Sequence, residues 1–291
     1  MKNKYKIVTD SCADVNLDMI KKYDLEVLPF EITMGEETFM HYPDFREMSF
    51  ETFYNKLKDG YMASTSQITP FKYVEYLEPL LKAGEDVLYI CFSSGLSGSY
   101  QSSLVAVNEL REKYPQRKIV SIDSLSACGG ETLLVYDACI NREQGMSLEL
   151  NAEWLEANKK HIAHQFTVET LTYLWRGGRV SKTTAVVGDA LKIKPILHVD
   201  DEGHLGKIGQ AHGRRKSIKT LVDNMKKTVI DPQNQVIFIS YGAYEEDAQL
   251  LKHKVEKEFH PKEVILCKMG PVVGTHGGPG ILTLFFFASK R

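Results

Sequence analysis

The strongest constraint on the fold is a short apolar run that passes through a serine-rich segment into a helical pattern. Residues 87–90 are apolar and predict a buried strand, and residues 93–100 read SSGLSGSY. The apolar side chains that follow with the spacing of an inner helix face are Leu104, Val105, Val107 and Leu110. A loop of this kind leaves unpaired N–H groups at the helix start, where the helix dipole favours an anion. The segment therefore predicts either an anion site or a plain connection capped by Ser97 or Ser99.

Strand and helix signals alternate through the first half of the chain. Strands are predicted at residues 5–8, 87–92 and 118–122, with helical patterns between and after them. Such alternation is typical of a mainly parallel, doubly wound sheet. Ligands of these sheets bind beyond the carboxyl ends of the strands, where the chain places Asp10-Ser11, residues 93–99 and Asp123-Ser124.

Two further features belong to this half. Residues 27–34 and 38–40 flank Gly35-Glu36-Glu37 and predict a hairpin. Residues 63–67 read ASTSQ and are interpreted as a second hydroxyl-rich loop, after which Thr69-Pro70 begins a helix. The inner face of this helix is predicted to consist of Phe71, Val74, Leu77 and Leu81.

The pattern changes in the second half of the chain. Residues 195–199 and 205–211 bracket Asp200-Asp201-Glu202-Gly203, which is a strong hairpin signal. The other elements predicted here are a helix that runs through Leu191, helices over 214–228 and 245–259, and strands over 236–240, 264–267 and 281–287. Hairpins mixed with helices favour an α+β arrangement. We therefore expect an α/β domain over residues 1–163 and an α+β domain over residues 164–291.

Composition excludes several classes of function. The formal net charge of −2 predicts no overall attraction to nucleic acid or to an anionic membrane. The five cysteines contain no CxxC spacing, so we expect reduced thiols rather than disulfides or a zinc site. The longest apolar run, residues 281–288, is too short to span a bilayer, and the first residues lack the apolar core of a signal peptide. We therefore expect a cytoplasmic protein with no membrane insertion.

One motif suggests nucleophilic catalysis. Residues 95–99, GLSGS, nearly match the G-x-S-x-G nucleophile elbow, and they lie between a predicted strand and a predicted helix. Ser97, Asp123 and His276 also follow the chain order of the hydrolases that use this elbow. Ser99, however, stands where the elbow needs glycine. A serine esterase or acyltransferase that uses Ser97 is therefore kept as the alternative function.

Two further segments are candidates for ligand contact. Residues 270–280 contain five glycines around His276, which predicts close backbone approach and a side chain able to donate to an acidic ligand. The basic residues that lie in two clusters are Arg176, Arg179, Arg214, Arg215 and Lys216. They are interpreted as phosphate or nucleotide contacts, or as solvated positive patches. Because the chain has no metal-binding or Walker sequence, we expect neither a metal nor a cofactor.

Several short motifs occur together over nearly the whole chain. Those in the first half are Thr9-Asp10-Ser11, Thr65-Ser66-Gln67, residues 94–99 and Asp123-Ser124. Those in the second half are residues 176–179 (RGGR), Lys194-Pro195-Ile196, Arg214-Arg215-Lys216 and residues 270–280. In this order they resemble the DegV family of bacterial fatty-acid-binding proteins, the lipid-carrying subunits of fatty acid kinase.

The resemblance implies a function for the chain as a whole. A long-chain fatty acid would bind between two α/β-type domains, and a partner fatty acid kinase would convert its carboxylate to an acyl phosphate. The chain itself would be a carrier rather than an enzyme, and the fatty acid would be its ligand without any further cofactor.

The resemblance also implies roles for individual residues. Thr65 and Ser97 would contact the carboxylate, with His276 in the surrounding hydrogen-bond network. The supporting residues would be Ser66, Gly98 and Thr275, and the residues facing the partner would be Arg176, Arg179, Arg214 and Arg215. One departure from the family pattern is Ile68, which stands directly after Gln67 where many members have proline.

Overall fold

The computed structural model describes residues 5–186 and 192–291. The strands of the first half are β1 (Tyr5–Asp10), β2 (Glu26–Leu28), β3 (Phe30–Met34), β4 (Glu37–His41), β5 (Ala63–Ser66), β6 (Asp86–Cys91) and β7 (Ile119–Asp123). The helices of this half are α1 (Leu17–Tyr23), α2 (Phe50–Lys58), α3 (Pro70–Lys82), α4 (Ser99–Lys113), α5 (Cys128–Glu143) and α6 (Leu148–Asn158).

The second half has its own set of strands and helices. Its strands are β8 (Ile162–Thr167), β9 (Ile193–Val199), β10 (Leu205–His212), β11 (Val236–Tyr241), β12 (Glu263–Lys268) and β13 (Leu282–Phe287). Its helices are α7 (Thr172–Arg176), α8 (Lys182–Val186), α9 (Arg214–Thr228), α10 (Glu245–Phe259) and α11 (Pro271–Gly277). Short 3-10 turns occur at Lys159–His161 and Pro232–Asn234.

The first sheet is parallel, with the strand order β2-β1-β6-β7. Its middle strands are buried on both faces, because helices pack against each side, and this explains the unbroken apolar run at residues 87–90. The predicted α/β class and the parallel sheet are thus confirmed. The carboxyl ends of β1, β6 and β7 lie at one edge, where the polar loops of the sequence begin.

A separate antiparallel sheet has the order β4-β3-β5. The hairpin predicted around Gly35 is confirmed, but residues 63–66 form a strand rather than the predicted loop. Thr65 pairs with Ile32, and burial alternates along β5 so that Thr65 lies inward while Ser64 and Ser66 are exposed. The sequence predicted a loop here because the inward residues are small or polar, so the segment lacks the alternating apolar residues typical of a strand.

The second half contains a mixed six-stranded sheet with the order β10-β9-β8-β13-β11-β12. Its strands pair antiparallel except for β11 and β12, so the predicted α+β arrangement is confirmed, as is the hairpin between β9 and β10. The predicted helix through Leu191 is seen as α8 only as far as Val186, and its remainder lies outside the described residues.

The glycine-rich segment at residues 270–280 contains a helix, α11, which the sequence did not reveal. Pro271 occupies its first turn, and Gly278, with φ of 74°, ends it. Glycine has a low helix propensity. However, α11 packs so closely against α2 that a Cβ at Gly274 would lie 2.5 Å from the Tyr54 hydroxyl. Tertiary packing therefore outweighs the unfavourable propensity.

Two predicted helix faces were partly wrong. In α4, Leu104 and Val105 are exposed, and the buried face also contains small residues such as Ser103, whose hydroxyl lies 2.8 Å from that of Ser121. In α3, Phe71 is 69% exposed. In both helices, small or hydroxyl-bearing residues such as Ser103 and Tyr73 occupy inner positions that an apolar count misses.

The core is continuous between the two halves, since α5 packs against both large sheets. The division after residue 163 stays a proposal, and it falls within β8, which begins at Ile162 and is the first strand of the second sheet along the chain. The five cysteines are all reduced and buried. Within the described ranges, no helix is long and apolar enough to cross a bilayer, and no group of three or more metal-ligating side chains occurs.

Candidate ligand-binding site

The serine-rich loop is held by contacts with both halves of the chain. Asp123 Oδ1 accepts a hydrogen bond from the Ser94 amide at 3.1 Å, and Ser93 Oγ donates to the Gly203 carbonyl at 3.0 Å. Gly95 lies against the same turn, where a Cβ would come within 2.6 Å of the Gly203 backbone. The loop is therefore fixed between the end of β7 and the β9–β10 hairpin.

Ser97 lies at the end of this loop, two residues before α4, whose N-cap is Gly98 rather than the predicted Ser97 or Ser99. Its Oγ accepts from the Ser99 amide at 3.2 Å and lies 3.0 Å from Ser99 Oγ. Ser99 Oγ in turn accepts from the Ile68 amide at 3.3 Å. Ile68, which stands where many family members have proline, thus supplies an N–H that proline would lack. If Ser99 donates to Ser97, the Ser97 hydroxyl proton is left for a ligand.

Thr65 and His276 meet from distant parts of the chain. Thr65 Oγ1 lies 3.0 Å from His276 Nε2, which joins β5 to α11. The other ring nitrogen, Nδ1, is buried without a hydrogen-bond partner. Burial, and next the charge of Arg179, lower the pKa of His276 to about 4. The ring is therefore neutral at pH 7.

The position of His276 depends on its neighbours in sequence and space. Asp14 Oδ1 accepts from the Gly270 amide at 2.9 Å and so fixes the start of α11. Gly177 lies against the ring, since a Cβ there would come within 2.1 Å of Nδ1. The RGGR motif therefore contains one glycine that the histidine requires.

Arg179 follows the turn at Gly177 and Gly178 and points back to the serine loop. Its Nε and Nη2 donate to the Leu96 carbonyl at 3.1 and 2.9 Å, and its Nη1 donates to the Gly177 carbonyl. The turn is possible because Gly178 has φ of 73°, which favours glycine. Arg179 was expected at a partner surface, but it lies half-buried between the loop and His276.

Thr65, Ser97 and His276 line one cavity of about 320 Å³, which lies between the two halves of the chain. The other polar side chains that line it are those of Gln67, His164, Arg179 and Thr283, and two glycines, Gly98 and Gly277, also line it. Its apolar lining residues are Phe30, Phe92, Leu96, Ala127, Cys128, Phe166, Leu174, Val199, Leu205, Val272, Val273, Ile281 and Phe285. The cavity is thus mainly apolar, with a small group of hydrogen-bonding side chains.

The structure places the other predicted site residues less uniformly. Gly98 lines the cavity, whereas Ser66 is exposed on the opposite side of its strand. Thr275 is buried and donates to the Pro271 carbonyl at 2.8 Å within α11. Arg214 forms an ion pair with Asp247 at 2.6 Å. The remaining two predicted residues, Arg176 and Arg215, are exposed.

The carboxylates at the strand ends organise loops rather than the cavity. Asp10 accepts from the amides of Cys12 and Phe92, at 3.0 Å each, and from the Tyr89 hydroxyl at 2.8 Å. Neither it nor Asp123 lines the cavity. Both carboxylates lie at the predicted edge of the sheet, but neither faces the cavity.

The geometry is unlike that of a serine hydrolase. His276 Nε2 bonds to Thr65, and its Nδ1 has no carboxylate partner to orient the ring. Asp123 is engaged by the amides of Ser94 and Leu125. The residues that would form a triad with Ser97 thus have other partners.

Comparisons with known proteins cover nearly the whole chain. A family model described as "Uncharacterised protein, DegV family" matches residues 4–289. A DegV domain-containing protein of Clostridium perfringens is 40% identical over 288 residues, which is 99% of each chain.

Two solved structures also share the fold. One is a DegV family protein from Thermus thermophilus, whose structure is described as showing fatty acid binding. It is 26% identical to this chain, and the two structures superpose with a TM-score of 0.86 over 98% of this chain and 99% of that one. The Streptococcus pneumoniae Fatty Acid Kinase (Fak) B3 protein, loaded with linoleic acid, shares the fold at 22% identity, with a TM-score of 0.84 over 98% and 99% of the two chains. From the family match and the Clostridium relative, the chain belongs to the DegV family.

Proposed function

We propose that the chain binds a long-chain fatty acid in the cavity between its two halves. The observation that carries this proposal is the Thr65–His276 hydrogen bond in the wall of a mainly apolar cavity. Its volume of about 320 Å³ is in the range of small-molecule sites. A ligand with one small polar end and a long apolar body matches this lining.

The hydrogen bonds suggest how the head group is held. We assign the proton of neutral His276 to Nε2, because the alternative would bury an unpaired N–H at Nδ1. His276 then donates to Thr65, and the Thr65 hydroxyl donates to the carboxylate. Ser97 has the same relation to Ser99, so two hydroxyl protons converge on one anion. Each such charge-assisted bond contributes about 1.5–3 kcal/mol.

The apolar part of the ligand supplies most of the affinity. Each buried methylene contributes roughly 0.8 kcal/mol before the cost of association. Side chains from both halves, such as Phe30 and Phe166, line the cavity, so the acyl chain would lie between them. The Thermus thermophilus relative, whose binding of fatty acid is recorded, supports this proposal.

We further infer that the bound carboxylate is presented in the cytoplasm to a partner fatty acid kinase, which forms the acyl phosphate. The chain acts as a carrier in this scheme, because Ser97 and His276 hold the reacting oxygen without forming a nucleophile–base pair. The sequence motifs shared with the lipid-carrying subunits support the inference. Exposed Arg215 is the candidate contact for the kinase.

A binding titration tests the fatty-acid proposal. Delipidated protein is titrated with a long-chain fatty acid, its methyl ester and the corresponding primary alcohol. We expect the acid to bind at least about tenfold more tightly than either analogue, because both lack the carboxylate that accepts from Thr65 and Ser97. Equal affinities for all three would contradict the assigned head-group site.

A further inference from the structure

One polar side chain lies far down the apolar cavity. Ile281 packs against Gly277, which is next to the head-group residue His276. Phe285 lies four residues further, in β13, and is therefore about 13 Å away at the usual rise of a strand. His164 lies opposite Phe285 on the paired strand β8, and both side chains line the cavity. His164 is thus well separated from the residues that we assign to the carboxylate.

The hydrogen bond of the His164 ring shows where its proton lies. Nδ1 lies 3.0 Å from the carbonyl oxygen of Ile162. Because a carbonyl oxygen can only accept, Nδ1 carries the proton. Burial, and next the charge of Arg291, lower the pKa of His164 well below its usual value, so the ring is neutral at pH 7. Nε2 therefore has a lone pair, which can accept a hydrogen bond but cannot donate one.

Within residues 5–186 and 192–291, no group donates a hydrogen bond to this buried Nε2. Its neighbours include Gly130, where a Cβ would lie 2.5 Å from Nε2, and the Phe285 ring, which stands at 89° to the imidazole. The nearby Thr283 hydroxyl is already satisfied, because it donates to the Ser240 carbonyl at 2.8 Å and accepts from the Ser240 amide at 3.1 Å. The cavity therefore contains a hydrogen-bond acceptor that needs a donor from the ligand.

We propose that His164 Nε2 accepts a hydrogen bond from a hydroxyl group on the acyl chain, so that the cavity favours a hydroxy fatty acid. The inference rests on the proposed function and names the class of fatty acid. A hydroxyl suits this place because it donates a proton and brings no charge into an apolar cavity. The distance of His164 from the head group places this hydroxyl well along the chain rather than beside the carboxylate.

The test compares hydroxyoctadecanoic acids, which differ only in the position of the hydroxyl, with the unsubstituted acid. Each acid competes with a fluorescent fatty acid for the delipidated protein. We expect one narrow range of hydroxyl positions to bind about tenfold or more tightly than the others, because a hydroxyl elsewhere is buried without an acceptor.

Two variants assign this preference to one side chain. His164→Phe is expected to remove the preference and to change the affinity for the unsubstituted acid by less than about twofold, because the ring size is similar and only the acceptor is lost. His198→Phe is the matched control and should keep the preference. His198 lies on the neighbouring strand β9, opposite Gln165, and does not line the cavity.

A second measurement uses the native protein and decides the proposal even if His164→Phe does not fold. The protein is labelled with nitrogen-15 at its histidines. The signal of an unprotonated ring nitrogen moves to lower chemical shift when that nitrogen accepts a hydrogen bond. We expect one such signal to move when the best-bound hydroxy acid is added, and not when the unsubstituted acid is added.

Three results would overturn the hydroxyl site while fatty-acid binding by the native protein remained intact. They are equal affinities for all hydroxyl positions, a preference that persists in folded His164→Phe, and histidine signals that respond identically to the two acids. Failure of the native protein to bind any of the acids would instead reject the proposed function, and this inference with it.

Discussion

At the scale of single residues, the proposed site depends on two hydroxyl groups. Each accepts a hydrogen bond from a neighbouring side chain and so turns its own proton towards the ligand. Thr65 is paired with His276 and Ser97 with Ser99, at 3.0 Å in each case. In the proposed head-group site, each pair leaves one hydroxyl proton for the ligand. The His276 ring can take this part only while it is neutral, which its burial ensures at physiological pH.

The Thr65 hydroxyl can be removed with little change of shape. We expect Thr65→Val to weaken fatty-acid binding by about 1.5–3 kcal/mol, because the carboxylate loses a donor and His276 Nε2 loses its acceptor. The measurement is displacement of a fluorescent fatty acid. Ser66→Ala is the matched control, since Ser66 is the next residue along the strand and is exposed. A normal affinity in folded Thr65→Val would remove Thr65 from the site.

The low pKa of His276 also predicts how stability depends on pH. The folded pKa is about 4 against 6.5 for the ordinary side chain, so the unfolded chain binds the extra proton between these values. The free energy of unfolding therefore falls as pH drops from about 6.5 towards 4, with a contribution from this residue of about 1–2 kcal/mol at pH 5. Denaturant titrations of the native protein and His276→Asn at pH 7 and pH 5 measure it. An identical pH dependence in both proteins would contradict this assignment.

At the scale of elements, glycines allow the site's segments to approach one another. A Cβ at any of three glycines would clash with a neighbouring group. Gly177 lies against the His276 ring, Gly274 against Tyr54, and Gly95 against the turn at Gly203. The sequence predicted close backbone approach around His276, and the structure confirms it. The neighbours that make these approaches could not be predicted, because each lies far away in the chain.

The contact between the serine loop and the β9–β10 hairpin can be tested at Gly95. A Cβ at this position would lie 2.6 Å from backbone atoms of Gly203, which cannot rotate away. We expect Gly95→Ala to lower the free energy of unfolding by about 1–3 kcal/mol and to weaken fatty-acid binding, since the loop carries Ser97. Gly209→Ala is the control, with no heavy atom within 4 Å of the added Cβ and an expected change within about 0.5 kcal/mol. Equal free energies of unfolding for the two variants would contradict this, because the loop would then have moved to accommodate the added Cβ with no loss of stability.

Elements with a clear apolar period were predictable, and those without one were not. Helices α9 and α10 lie at the predicted residues 214–228 and 245–259. Strand β5 and helix α11 were missed, because hydroxyl residues and glycines conceal the period of each. These two elements position Thr65 and His276, so the local pattern was least informative at the site itself.

At the scale of the whole molecule, the cavity forms only when the two halves pack together. Phe30 and Phe92 line it from the first half, and Phe166 and Phe285 from the second. In the sequence these residues are indistinguishable from core residues, since a sleeve for an acyl chain and a core have the same apolar composition. The polar residues of the site could be predicted from their motifs, whereas the lining of the sleeve required the fold.

Native mass spectrometry of the freshly purified, intact chain tests fatty-acid binding most directly. We expect a protein peak with the added mass of one long-chain fatty acid, loss of that mass on delipidation, and its return at one equivalent of added acid. Thr65→Val should rebind the acid more weakly, while Ser66→Ala should rebind it normally. A delipidated, folded protein that takes up no fatty acid under conditions where its Thermus thermophilus relative does would contradict the proposed function.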